Sequence, residues 1–378
     1  MLSHSVMYRG LLYRYILTMR GIAFNAMEHL IPFIIRILST AMAKRAFITG
    51  ITGMVGSHLA DFLLEHTDWE IYGLIRWRSP LDNIAHLLPR INNKDRIHLV
   101  YGDLRDSDSI NEAVRLCLPD FVFHLAAQSY PKTSFTAPLD TYETNIQGTS
   151  RVLEALKQYK QDAIVHVCAS SEVFGRVPKE KLPIDEECTF HPASPYAISK
   201  VGTDLVGRYY AEAFNMTVMT TRMFTHTGPR RGDVFAESTF AKQIAMIERG
   251  IIPPVIKTGN LQSLRTFADV RDAVRAYYML VTVNPQGGQY YNIGGQYTCM
   301  IEDMLKHLVA LSPLKDKITV ETDPDRLRPI DADLQVPNTA KFEKHTGWKP
   351  QISFEKTMQD LLDYWRERIA SGSQFLTR

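Results

Sequence analysis

Clustered cysteines, long apolar runs and an excess of either charge are what this 378-residue chain has least of. Its four cysteines, Cys117, Cys168, Cys188 and Cys299, lie far apart. That excludes a zinc-type Cys-x-x-Cys spacing and a disulfide framework, and it suits a reducing cytoplasm. The 43 Lys and Arg are nearly balanced by 41 Asp and Glu, for a net charge of +2. Such a field is too weak to make nucleic acid or an anionic membrane the expected partner. An anionic ligand must therefore be met by a local site. No His, Cys and carboxylate cluster has metal-ligand spacing, so no metal is expected. With 45% hydrophobic residues, 21 Gly and 19 Pro, what remains is an ordinary globular composition, neither disordered nor repetitive.

The opening stretch stands apart. Up to residue 41 it holds Arg9, Arg14, Arg20 and Arg36 against one acid, Glu28, so it carries +3 and leaves −1 for the rest. Its most apolar piece, Leu30 to Leu38, contains Pro32 and Arg36 and is far shorter than the roughly 20 residues a membrane helix needs. No membrane span is expected. The composition fits an organelle transit peptide, but Met42-Ala43-Lys44-Arg45 directly ahead of the first strand fits a downstream start, the preferred reading. Residues 1–43 are read as an extension outside the fold.

From Lys44 onward, short β-branched runs alternate with helical stretches, the pattern of an α/β protein with a doubly wound parallel sheet. Strands are expected at Ala46–Thr49, Ile71–Ile75, Ile97–Tyr101, Phe121–Leu125, Ile164–Ala169 and Val218–Arg222. Helices are expected at Met54–His66, Ser109–Cys117, about Asp140–Tyr159 and about Ser194–Phe214. After Arg222 the rhythm becomes turn-rich. Residues 44–222 are therefore read as a dinucleotide-binding domain, and 223–378 mainly as a smaller C-terminal substrate lobe, some of whose segments return to the first domain.

Gly50-Ile51-Thr52-Gly53-Met54-Val55-Gly56 follows the first strand and opens the first helix. Glycines at that spacing permit a tight turn and a close backbone approach, and the helix start offers unpaired N–H groups to a pyrophosphate. Where an NAD-specific protein places an acid to hold the ribose, the second strand ends in Arg76-Trp77-Arg78-Ser79. Two guanidinium forks and a hydroxyl suit a 2′-phosphate, so NADP is favoured over NAD.

Tyr196 and Lys200 stand four residues apart, hence on one helix face. A phenol whose ionisation is eased by a neighbouring ammonium is a general acid/base for a sugar hydroxyl or carbonyl. The fifth strand runs into Ser170-Ser171-Glu172, and the carboxyl ends of strands are where such sheets bind ligands. Ser170 or Ser171 can hydrogen-bond the reacting oxygen. Glu172 is either a carboxylate for the same substrate or a solvated end residue.

With these in order, Gly102-Asp103-Leu104, His124-Leu125-Ala126-Ala127 and Asn145-Ile146-Gln147-Gly148-Thr149 make the chain resemble the extended short-chain dehydrogenase/reductases acting on nucleotide sugars, from residue 44 to about 370. Within them it is most similar to the GDP-mannose 4,6-dehydratase and GDP-4-keto-6-deoxy-mannose reductase group, through Arg76–Pro80, Ser194-Pro195-Tyr196, His226–Gly232, Gly259-Asn260-Leu261 and Arg326-Leu327-Arg328-Pro329. The resemblance implies a Rossmann domain with a nucleotide-sugar lobe. It also implies Asp103 and Leu104 at the adenine, Leu125, Ala126 and Ala127 along the cofactor groove, and Arg265 and Arg328 on the sugar nucleotide's diphosphate. Ser171, Thr225 and Arg230 are further substrate contacts, and Asn145 supports the local helix. Two departures stand out: Thr225 takes the place of an expected asparagine, and Leu264-Arg265-Thr266-Phe267 lacks the charges usual beside the arginine.

The implied reaction is NADP-dependent 4,6-dehydration of a nucleotide sugar, GDP-mannose favoured, in a cytoplasmic homodimer or homotetramer. A 4-ketosugar reductase, a 4-epimerase and a non-catalytic dinucleotide sensor remain as alternatives.

Overall fold

The computed structural model describes residues 43–327 and 332–372. Apart from Ala43, the extension expected over 1–43 lies outside the described residues, and so does Arg328. Lys44–Arg378 forms one compact unit.

Six strands appear within two residues of their expected bounds: β1 (Arg45–Thr49), β2 (Glu70–Ile75), β3 (Ile97–Tyr101), β4 (Phe121–His124), β5 (Ile164–Cys168) and β6 (Thr217–Met223). Later come β7 (His226–Thr227), β8 (Val255–Thr258), β9 (Leu264–Asp269), β10 (Tyr290–Ile293), β11 (Tyr297–Met300), β12 (Thr319–Thr322) and β13 (Leu334–Gln335). The main sheet has seven parallel strands in the order β10-β6-β5-β4-β1-β2-β3. It is a doubly wound Rossmann sheet. Chain direction across it reverses between β1 and β4, and at such a switch point the loops diverge and open a crevice.

Alternate residues of each strand feed two apolar layers. Ala46, Ile48, Ile71 and Phe123 face α1 (Met54–His66), while Phe47, Leu74, Val122 and Val165 face α2 (Ser107–Cys117) and α3 (Gly148–Tyr159). Strands buried on both faces explain the near-continuous apolar runs in the sequence. The next helix, α4 (Pro195–Phe214), is fixed by Ser194 at its N-cap and by a buried bidentate pair, Arg222 with Asp204, at 2.8 and 3.2 Å.

Two elements of the later half return to this layer. β10 extends the sheet beside β6, and α6 (Val270–Thr282), which follows α5 (Ala236–Glu248), packs its Val274, Tyr277 and Leu280 into the core that α1 lines. A third core belongs to the smaller lobe, where α5, α7 (Ile301–Ala310) and α8 (Phe354–Ala370) enclose Phe240, Ile244, Met304, Phe354 and Trp365. No helix among the described residues is long and apolar enough to cross a membrane.

Candidate active site

A cleft of about 970 Å³ opens over the β1/β4 switch point and runs between the main sheet and the smaller lobe. One end is the glycine loop. Gly50 has φ +75°, and a Cβ there would lie 3.0 Å from the Ala126 backbone; a Cβ on Gly56 would lie 2.3 Å from the Gly50 carbonyl. The loop can fold this tightly only without side chains at those positions. Asn83 Nδ2 donates to the Thr52 carbonyl at 3.0 Å and ties down the turn. The Thr49 hydroxyl accepts from Leu125 and Ala126 N–H at 3.0 and 3.1 Å, locking the ends of β1 and β4 together.

The start of α1 faces this cradle with Gly53 as N-cap, no capping side chain and no acid in its first turn. In contrast, α2 and α4 are capped by Asp106 and Ser194 side chains. An uncapped helix start behind a glycine turn presents N–H groups and a positive dipole end. These residues therefore fit a pyrophosphate, as the sequence reading requires. Met54, Val55, Leu125 and Ala127 line the same end.

Arg76 and Arg78 are exposed beyond β2, and the Ser79 hydroxyl accepts from the Arg76 N–H at 3.1 Å. Asp103 is held by Arg105, whose backbone and guanidinium both donate to it. Burial opposes ionisation of Asp103, but Arg105 outweighs it and keeps the carboxyl below the usual range. Leu104 is buried under Gly148 in the α2/α3 layer, and its carbonyl accepts from Arg151 at 3.1 Å. Its side chain supports the groove from behind and does not line the cleft.

At the middle of the cleft stand Ser170, Ser171, Glu172, Tyr196 and Lys200. Ser170 stands beside the Tyr196 phenol, and the Ser170 hydroxyl accepts from the Glu172 N–H at 3.2 Å. Lys200 Nζ donates to the Cys168 carbonyl at 2.7 Å. Burial raises the Tyr196 phenol well above its ordinary value; the neighbouring Ser170 hydroxyl and the charge of Arg231 work against that rise. Burial likewise lowers Lys200. The sequence reading made Lys200 the cation that eases ionisation of the phenol. The structure holds the lysine's ammonium on the strand-end carbonyl, and Arg231 is a further positive charge that favours the phenolate.

Asn145 fixes the helix that carries the pair. Its Oδ1 accepts from Gln128 N–H at 2.8 Å, and its Nδ2 donates to the Ser199 hydroxyl at 2.8 Å. It lies in a π-helical turn, Glu143–Gln147, a geometry often found at functional sites.

The far wall holds Thr225, His226, Arg230, Arg231, Arg265 and Arg326. Arg230, in the left-handed region at φ +67°, turns its guanidinium to Asp61 of α1 at 2.6 Å. Arg231 turns inward, pairs with Glu237 at 3.0 Å and lies 3.5 Å over the Phe235 ring. Arg265 donates to the Ala332 carbonyl. His226 is held neutral, its pKa brought down to about 4 by burial and by Arg231. Sequence reasoning assigned no role to Arg231, His226, Asn83 or Arg326. The signal available for three of them was the motif stretches His226–Gly232 and Arg326–Pro329, in which His226, Arg231 and Arg326 lie beside Arg230 and Arg328. Among the described residues no three metal-ligating side chains gather.

A dinucleotide cradle, a Ser, Tyr and Lys group at a strand end and an arginine-rich opposite wall define a Rossmann-fold enzyme of the extended short-chain dehydrogenase/reductase type. The family model "GDP-mannose 4,6 dehydratase" matches residues 47–361, and the chain belongs to that family. It is 33% identical over 328 residues to GDP-mannose 4,6 dehydratase 1 of Arabidopsis thaliana, covering 85% of this chain and 89% of that one. It is 30% identical over 329 residues to GDP-6-deoxy-D-mannose reductase of Pseudomonas aeruginosa, covering 87% and 99%. Among solved structures, RMD from Pseudomonas aeruginosa complexed with NADPH superposes with a TM-score of 0.72 at 28% identity, covering 86% of this chain and 100% of that one.

Proposed function

We propose that the protein catalyses the NADP-dependent 4,6-dehydration of a nucleotide sugar, with GDP-mannose the favoured substrate. The observation that carries this reading is Glu172. Its carboxylate lines the cleft beside Tyr196, with no hydrogen bond or ion pair among the described residues. Reduction or epimerisation at C4 needs no such group, whereas elimination across C5 and C6 needs a base.

In this reading Tyr196 takes the proton of the sugar 4-hydroxyl while Ser170 orients that oxygen. Lys200, fixed on Cys168, would hold the cofactor's ribose. A nicotinamide dinucleotide bound at the glycine loop supplies reversible hydride storage. The 4-ketone acidifies C5–H; Glu172 removes that proton and delivers one to the departing 6-hydroxyl. With the stored hydride given back to C6 and the proton held by Tyr196 given to C5, the net change in the sugar would be the loss of one water. Arg265 and Arg328, with Arg231 and Arg326, would meet the diphosphate; Thr225 and Ser171 would contact the sugar. NADP is favoured because Arg76 and Arg78 are exposed at the end of β2 with no ion pair among the described residues, and the Pseudomonas reductase was solved with NADPH. Residues 44–222 would carry the cofactor and 223–378 mainly the nucleotide sugar, in the cytoplasm.

The test is GDP-mannose with substoichiometric NADP+ and product mass. A 4-keto-6-deoxy product, lighter by one water, supports the reading; stoichiometric NADPH consumption on a ketosugar alone overturns it. That second outcome defines the reductase reading, favoured by the nearly full-length match to the Pseudomonas reductase.

We further propose a homodimer formed through α4, where Ile198, Leu205 and Tyr209 are 44%, 49% and 56% exposed. Their spacing puts them on one face of the helix. Sedimentation should give twice the chain mass, and Leu205→Glu with Tyr209→Glu should halve it. A monomeric wild type would dismiss the interface.

A further inference from the structure

Lys132 lies on the short helix Pro131–Thr136 beyond β4. It is exposed at the cleft, and its ammonium crosses the opening to donate to the Asp325 backbone carbonyl in the smaller lobe. The accepting turn, Pro324–Arg326, is held by Asp323, whose carboxylate accepts from Asp325 N–H at 3.1 Å and Arg326 Nε at 3.2 Å. Neighbouring cations are committed to carboxylates: Arg230 to Asp61 and Arg231 to Glu237. Lys200 is buried on a carbonyl. Among the described residues, Lys132 makes no ion pair with a carboxylate. Its one partner is neutral, and it joins the two walls between which a substrate must enter.

We propose that Lys132 is a latch that recognises a nucleoside diphosphate, an inference that rests on the nucleotide-sugar reading above. Without ligand, the ammonium ties the walls through the Asp325 carbonyl. A diphosphate entering beside Arg326 offers charged oxygens, which bind an ammonium more strongly than a neutral carbonyl does. The flexible four-carbon stem and three donors of lysine permit the exchange without backbone movement. The two walls then stay linked through the ligand, and the cleft stays closed over the diphosphate.

The test is calorimetric titration of the full chain and its Lys132→Ala variant with GDP, UDP and NADPH. The substitution is at an exposed position, and unchanged NADPH affinity reports an intact fold. We expect GDP affinity to fall about tenfold, the size of one lost charge-assisted hydrogen bond. Its salt dependence should flatten, and Lys132→Arg should recover affinity to within about threefold, since the charge is kept. Equal GDP affinity in wild type and Lys132→Ala removes the latch alone. A loss confined to NADPH assigns the ammonium to the cofactor and also overturns it. A wild type that binds neither GDP nor UDP overturns the nucleotide-sugar reading and the latch with it.

Discussion

Tyr196→Phe is expected to lower turnover ~10³-fold, within the range for loss of a general acid/base, with cofactor affinity nearly unchanged. The hydroxyl is the atom that meets the substrate, while the ring packs in the wall, and phenylalanine preserves the ring. Since burial holds the phenol above its ordinary value in the free enzyme, the active base form grows as pH rises. The alkaline-rising limb of kcat/KM should therefore lie toward or beyond the ordinary tyrosine value of about 10. Arg231 stabilises the phenolate, so Arg231→Met should push that limb still higher. Retention of full turnover in Tyr196→Phe would remove the phenol from the chemistry. A limb unmoved by Arg231→Met would remove the arginine from its electrostatics.

Glu172→Gln carries the second large effect. The amide keeps the shape but cannot take the C5 proton, so water loss should fall by ~10²- to 10⁴-fold while NADP binding is spared. Deuterium gives a sharper readout. A turnover in D2O that passes through C5 deprotonation leaves label at C5, and in the variant this label should vanish together with the product. A variant that dehydrates at the wild-type rate would free Glu172 of its role, and an enzyme whose activity is simple reduction should be indifferent to the change.

How much of this was legible in the sequence depends on what fixed each side chain's direction. The glycine loop and α1 could be read closely because glycine spacing and a 3.6-residue apolar period are local properties. The sheet to β6 was readable for a similar reason, since doubly buried strands have to be apolar. β10 was missed. Four residues, Tyr290 to Ile293, with a buried Asn292 whose Nδ2 donates to the Ile184 carbonyl, have neither the length nor the composition of a core strand; pairing with β6, residue 290 opposite 220, makes it one.

Spacing also put Tyr196 and Lys200 on one face but could not say where a long side chain ends, and Lys200 ends on Cys168. For Arg230 and Arg231 the deciding fact is a left-handed residue at 230. It sends adjacent side chains in different directions, one to Asp61 of α1 and one to Glu237 of α5. The unpartnered carboxylate of Glu172 was beyond sequence reasoning altogether, because having no partner is a property of the surroundings.

The π-turn at Glu143–Gln147 sets the phase of everything downstream. Each α-helical residue advances the helix by about 100°, so a chain that dropped one residue there would lose no apolar side chain and yet swing Val152, Leu153 and Leu156 off the sheet they cover. Segment length at this point is thus under tighter constraint than residue identity.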